Sequence, residues 1–84
     1  MKETEYEILD QLYFVTSYDE LVALMDRDDE ELNSTLWEMI KKGWVKCLDG
    51  PENEIKITKN AFLKNYQKYQ YLASKQGLME HNLR

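Results

Sequence analysis

The hydrophobic period of this chain switches from helical to alternating near Gly43, and that change limits the fold more than any other feature. Before it, apolar residues recur at helical spacing; after it, they alternate. Ile8, Leu9, Leu12 and Val15, with Tyr13 and Phe14 adding bulk, predict a first amphipathic helix from about Glu3 to Val15. Thr16-Ser17-Tyr18 predicts a short extended link, and Ser17 with Glu20 three positions on is a capping-box pair that opens a second helix. Leu21, Leu24 and Met25 supply its expected buried stripe. Asp26-Arg27-Asp28 predicts a tight polar turn, and Asp28 with Glu31 repeats the cap logic for a third helix ending near Gly43. Its apolar positions Leu32, Leu36, Met39 and Ile40 share roughly 100° of helical arc. Glu30, Glu31, Ser34, Glu38 and Lys41 are left on the opposite face, with Trp37 at the flank.

Beyond Gly43, Val45 and Cys47 alternate with Trp44 and Lys46, and Ile55 and Ile57 with Glu54, Lys56 and Thr58, which predicts two paired strands. Asp49-Gly50-Pro51-Glu52-Asn53 between them supplies turn backbone angles and holds the only Pro. Thr58 is placed to cap a last helix, Lys59 to about Gln76, whose stripe is Phe62, Tyr66, Tyr69 and Ala73. Gly77 is expected as a left-handed stop, with Leu78 as its hydrophobic contact. The expected fold class is mainly α with a small antiparallel β-hairpin, in the order α-α-α-β-β-α.

Eighty-four residues make room for one domain, 1–84, and not for a large cleft enzyme. With 43% hydrophobic and 32% charged residues, and three Gly and one Pro, collagen-like and low-complexity classes drop out. The acidic start Met1-Lys2-Glu3-Thr4-Glu5 and the lack of about eighteen consecutive apolar residues predict a cytoplasmic protein with no membrane span. A lone Cys47 forms no internal disulfide and, in an apolar strand, is expected to be an inert packing residue. The net charge of −5 is unevenly spread. Residues 1–40 carry twelve carboxylates against Lys2 and Arg27, a balance of −10; residues 41–84 carry four against nine cations, a balance of +5. Such asymmetry sets where charged partners dock.

The stretches Ser17-Tyr18-Asp19-Glu20-Leu21, then Leu36-Trp37-Glu38-Met39-Ile40-Lys41-Lys42-Gly43-Trp44-Val45, then Ile55-Lys56-Ile57-Thr58-Lys59-Asn60-Ala61 resemble the winged-helix (winged helix-turn-helix) DNA-binding domains of prokaryotic transcription regulators. The resemblance covers residues 6 to 66 approximately, and its sharpest part runs from Leu36 and Met39 through Lys-Lys-Gly to the strand residues. It implies a third helix that lies in the major groove, a hairpin wing on phosphate or the minor groove, and a helix after the wing used for dimerisation. Mapped here, the groove-facing positions are Asn33, Ser34, Trp37 and Glu38, of which only Asn33 and Ser34 are normal base readers. Asp28-Asp29-Glu30-Glu31 stand where phosphates would approach, and Asp49, Glu52 and Glu54 stand near the wing tip. A carboxylate about 4 Å from a phosphate costs on the order of 1 kcal/mol even in bulk water, which opposes the usual docking.

Two functions follow as expectations. In the first, the chain is a non-catalytic regulatory module whose Glu30, Glu31, Ser34, Trp37 and Glu38 contact a basic protein surface or a second copy. In the second, it is a dimeric duplex-DNA-binding regulator that docks through Lys41, Lys42, Lys46, Lys56 and Lys59, with Asn33 and Ser34 reading bases. Trp37 is either a partner-facing anchor or a partly buried cover for a neighbouring element. The acidic run Asp26 to Glu31 is either a docking face or a capped, solvated helix end. A homodimer is expected through Tyr66, Tyr69, Leu72 and Ala73, with residues 67–79 as a helical extension. No cofactor or metal is expected: His81 sits in the tail without triad companions, and neither a Gly-rich phosphate loop nor a calcium loop occurs.

Overall fold

A computed structural model describes residues 1–50 and 52–83; Pro51, the expected turn residue, lies outside them. The chain is mainly helical with a small four-stranded antiparallel sheet. Helix α1 (Glu3–Gln11) is followed by strand β1 (Thr16–Ser17), α2 (Tyr18–Leu24) and α3 (Asp29–Lys41). Strands β2 (Val45–Leu48) and β3 (Glu54–Ile55) form the hairpin, and α4 (Lys59–Asn65), a 3₁₀ turn (Tyr66–Lys68), β4 (Gln70–Ala73) and α5 (Lys75–Asn82) complete the chain. No described helix is long and apolar enough to cross a membrane.

Local chemistry sets most of these boundaries. The Ser17 side chain accepts from the Glu20 N–H at 3.2 Å while Glu20 accepts from the Ser17 N–H at 3.2 Å, closing the capping box of α2. Asp28 caps α3 by accepting from the Glu31 N–H. At the other end of α3, Gly43 adopts φ +80, and Trp44 N–H reaches Met39 O at 2.9 Å while Gly43 N–H reaches Ile40 O at 3.1 Å. This is the Schellman pattern, and the left-handed residue it needs is a glycine. Thr58 caps α4 by accepting from Ala61 N–H at 3.2 Å.

The structure departs from expectation at both ends of the chain. Helix α1 stops at Gln11 rather than Val15, because the Leu12 carbonyl accepts from Ala73 N–H of β4 at 2.9 Å instead of continuing the helix. Phe14 is left 82% exposed, and Leu24, assigned to the α2 stripe, is also exposed. The long helix Lys59–Gln76 does not form. Its first seven residues make α4, but residues 70–73 form a strand that pairs antiparallel with both β1 and β2, giving the sheet order β1-β4-β2-β3. Tyr71 and Ala73 point into the core, whereas Gln70 and Leu72 are only half-buried, the alternation of a strand. The order α-α-α-β-β-α is thus corrected to α-β-α-α-β-β-α-β-α.

Gly77 is likewise not a stop. It lies inside α5, where an added Cβ would sit 2.1 Å from the Trp44 carbonyl oxygen, so glycine is required by the close approach of α5 to the start of β2. Ser74 caps this helix, accepting from Gly77 N–H at 3.0 Å while donating to the Gly43 carbonyl. His81, placed by sequence in a tail, is buried against α1: its ring stacks on Tyr6 at 4.3 Å and its Nδ1 lies 3.0 Å from the Tyr13 hydroxyl. One core joins Ile8, Leu9 and Leu12 of α1, Tyr18 and Leu21 of α2, Leu32, Leu36 and Met39 of α3, Phe62 of α4 and Tyr71 of β4.

Candidate functional site

The apolar stripe of α3 turns Leu32, Leu36 and Met39 inward, so Ser34, Glu38 and Lys41 run along its outer face. That face is the floor of a cleft and not a free crest. One wall is the start of α1, with Lys2, Glu5 and the Lys42 side chain; the other is α4, with Lys59 and Leu63. Between them lie Asn33, Ser34, Thr35, Trp37 and Glu38, and the cleft encloses about 450 Å³.

Phe62 holds the α4 wall in place. It is fully buried, with its ring 5.5 Å from Trp37, 5.7 Å from Tyr66 and 6.4 Å from Tyr71. Trp37 is therefore half-buried against α4 while still lining the cleft. The 3₁₀ turn after α4 is tied to α3 by Tyr66, whose hydroxyl donates to Asp29 at 2.9 Å; the Tyr18 hydroxyl donates to the same carboxylate at 2.6 Å. The hydrogen bonds from Tyr18 and then Tyr66 hold the Asp29 carboxyl below its ordinary pKa.

The α1 wall is fixed by a buried carboxylate. Glu5 is 2% exposed and accepts from Lys42 Nζ at 2.7 Å and from the Lys2 backbone N–H at 2.9 Å. Burial raises its pKa, but the bonds from Lys42 and Lys2 outweigh it and the net displacement is downward. Lys42 also stands 4.5 Å over the Trp44 ring. Glu38 is bonded to Lys41 at 3.0 Å, which lowers its pKa.

The acids of α3 are thus largely engaged inside the molecule. Glu31 accepts from Thr4 at 3.0 Å and pairs with Arg27, which also binds Glu7; Asp29 holds two tyrosines; Asp28 is the cap. Glu30 is exposed and lies outside the cleft lining. Of the residues expected to meet a protein partner, Ser34, Trp37 and Glu38 come together in the cleft, and Glu30 and Glu31 do not. Of those expected to meet DNA, Asn33, Ser34, Lys42 and Lys59 line it, whereas Lys41, Lys46 and Lys56 do not. Lys46 reaches Glu54 at 4.0 Å across the hairpin.

The single helical face expected to carry the dimer seam does not form. Tyr66, Tyr69, Leu72 and Ala73 share no helical face, because they fall in a 3₁₀ turn, a connecting residue and a central strand. Ala73 is buried in the sheet, Tyr66 is bonded to Asp29, and Tyr69 packs on the core. Sequence reasoning missed Lys2, Glu5, Thr35 and Leu63. A partner 37 residues away along the chain is what makes Glu5 a wall residue, and no local pattern carries that signal. Leu63 left a weak trace as an apolar residue off the Phe62 stripe. Comparison with models of known protein families, with curated proteins and with solved structures returned no match.

Proposed function

We propose that the chain is a non-catalytic regulatory module of winged-helix type that acts by protein contact at the α3 cleft and not by reading duplex DNA. The winged-helix reading is supported by a short strand between the first two helices, a capped third helix and a hairpin after it. The chain differs in carrying α4 between the hairpin and the strand β4 that returns to the middle of the sheet. The observation that carries the functional reading is the position of α3 as a floor, with α1 on one side and α4 on the other. A major groove about 12 Å wide admits one helix, itself about 10–12 Å across with side chains. A helix flanked on both sides does not fit. Lys41, Lys42 and Lys46, three of the five cations the DNA reading needs, each stand beside a carboxylate of this chain, which lowers the net positive charge they offer to phosphate.

The test is titration of a labelled generic duplex at about 50 mM salt, where counterion release gives any phosphate contact its greatest effect. The expected result is no saturable binding at micromolar protein. Micromolar binding that weakens steeply as salt rises overturns the reading.

A further inference from the structure

The cations of this chain divide into two sets. Arg27, Lys41, Lys42 and Lys46 each pair with a carboxylate of the same molecule. Lys2, Lys56, Lys59, Lys64, Lys68 and Lys75 are exposed and form no ion pair among the described residues. Four of these six, Lys56, Lys59, Lys64 and Lys68, lie between β3 and β4, on and around α4, and residues 55–79 contain no Asp or Glu. The two cations that line the cleft outside any ion pair, Lys2 and Lys59, stand on its opposite walls, and Lys2 also exerts a longer-range attraction on Glu5 and Glu38. The carboxylates in the same lining, Glu5 and Glu38, are already bonded to Lys42 and Lys41. Beside Lys59 the cleft is apolar: Leu63 is 50% exposed, and Trp37 is backed by Phe62.

We propose that this cleft takes an acidic, amphipathic protein segment, its carboxylates between Lys2 and Lys59 and its apolar side chains on Trp37 and Leu63. The inference rests on the protein-contact reading and reverses the partner charge expected from sequence, because the acids of α3 are satisfied internally and the unsatisfied charges of the cleft are positive. The net charge of −5 does not prevent this, since exposed charges beyond a Debye length of about 8 Å at physiological salt are largely screened and the lysines beside the cleft dominate locally. The apolar part favours a protein segment over nucleic acid: a phosphate backbone gains nothing from Leu63, whereas a Leu or Phe side chain buries it.

The test is a titration followed through the two indole N–H signals, Trp37 and Trp44, of the ¹⁵N-labelled protein. The probe is a blocked peptide of about ten residues in which every third residue is Leu and the rest are Glu; controls are the same peptide with Lys for Glu, and a single-stranded oligonucleotide. The Glu–Leu peptide is expected to shift the Trp37 signal saturably and leave Trp44 in place. Lys59→Glu is expected to weaken binding about tenfold by juxtaposing like charges, and it adds an acid at the first turn of α4, where the helix dipole tolerates it. Leu63→Ala should weaken binding as well, and Lys75→Glu on α5 should not. No shift at Trp37, indifference to Lys59→Glu, or equal binding of the Lys–Leu peptide or the oligonucleotide overturns the inference. If the Lys–Leu peptide alone moves Trp37, the partner sign is wrong and the protein-contact reading stands. Steeply salt-dependent duplex binding makes that reading fail first.

Discussion

Glu5 shows how one residue links stability to the site. Its carboxylate is taken from water and stays ionised because Lys42 and the Lys2 backbone bind the charged form. Its folded pKa lies below the ordinary value of 4.5, so its stabilising contribution is complete above that value and is lost as pH falls through the folded pKa. Urea unfolding followed from about pH 6 down to about pH 3 should show that loss in the wild type, and a Glu5→Gln variant should show less of it. A Lys42→Met variant removes the strongest bond to the carboxylate, so acid-induced loss should begin at higher pH; an unchanged pH profile would contradict the pairing. Cys47 supplies a second residue-scale test. Burial and then the nearby Asp49 push its thiol up to about 12, so a thiol reagent should react only as fast as the chain opens. At Gly77 a methyl group would collide with the Trp44 carbonyl, and Gly77→Ala should cost roughly 1–3 kcal/mol as an overpacking change, measured by denaturant unfolding.

At the scale of elements, α4 depends on Phe62. Phe62→Ala should cost about 3–5 kcal/mol, a large fraction of the roughly 5–15 kcal/mol available to a small domain, and should free the Trp37 ring. Amide exchange should place Tyr71 and Leu72 of β4 among the slowest protons of the chain, because β4 lies between two neighbours; fast exchange there would favour a frayed helix instead. Caps explain which elements were legible in the sequence. Ser17 with Glu20, Asp28 with Glu31, Thr58 and Gly43 act within four residues of the boundary they set, so α2, α3 and the start of α4 lie where those residues predict. Strand β4 is set instead by partners far along the chain. Phe62, Tyr66, Tyr69 and Ala73 fit a helical stripe, yet Tyr71 and Ala73 equally fit a two-residue period, and the choice between them is made by β1 and β2. The same distant contact, Ala73 to Leu12, ends α1 early. The centre of the cleft floor was legible as the outer face of α3; its walls were not, because they are brought in by a buried ion pair and an aromatic cluster between segments distant in sequence.

Over the whole molecule, the charge asymmetry of the sequence acquires a spatial meaning. The acidic half spends many of its carboxylates on bonds that join α1, α2 and α3, while the basic half leaves five of its eight lysines outside any ion pair, four of them around α4. Charge that is already paired holds the fold together, and charge that is free is available to a partner. The cleft exists only if α4 stands beside α3 in the free protein, with the Trp37 and Phe62 rings 5.5 Å apart. The direct measurement is a nuclear Overhauser experiment on the unliganded chain, with a soluble paramagnetic quencher added in a second run. Strong cross-peaks are expected between the Trp37 indole and Phe62 ring protons, with a Trp37 signal far less quenched than that of Phe14, which is 82% exposed. Missing cross-peaks, with Trp37 quenched as strongly as Phe14, would mean that α3 is an open crest and that the cleft does not exist in the free protein.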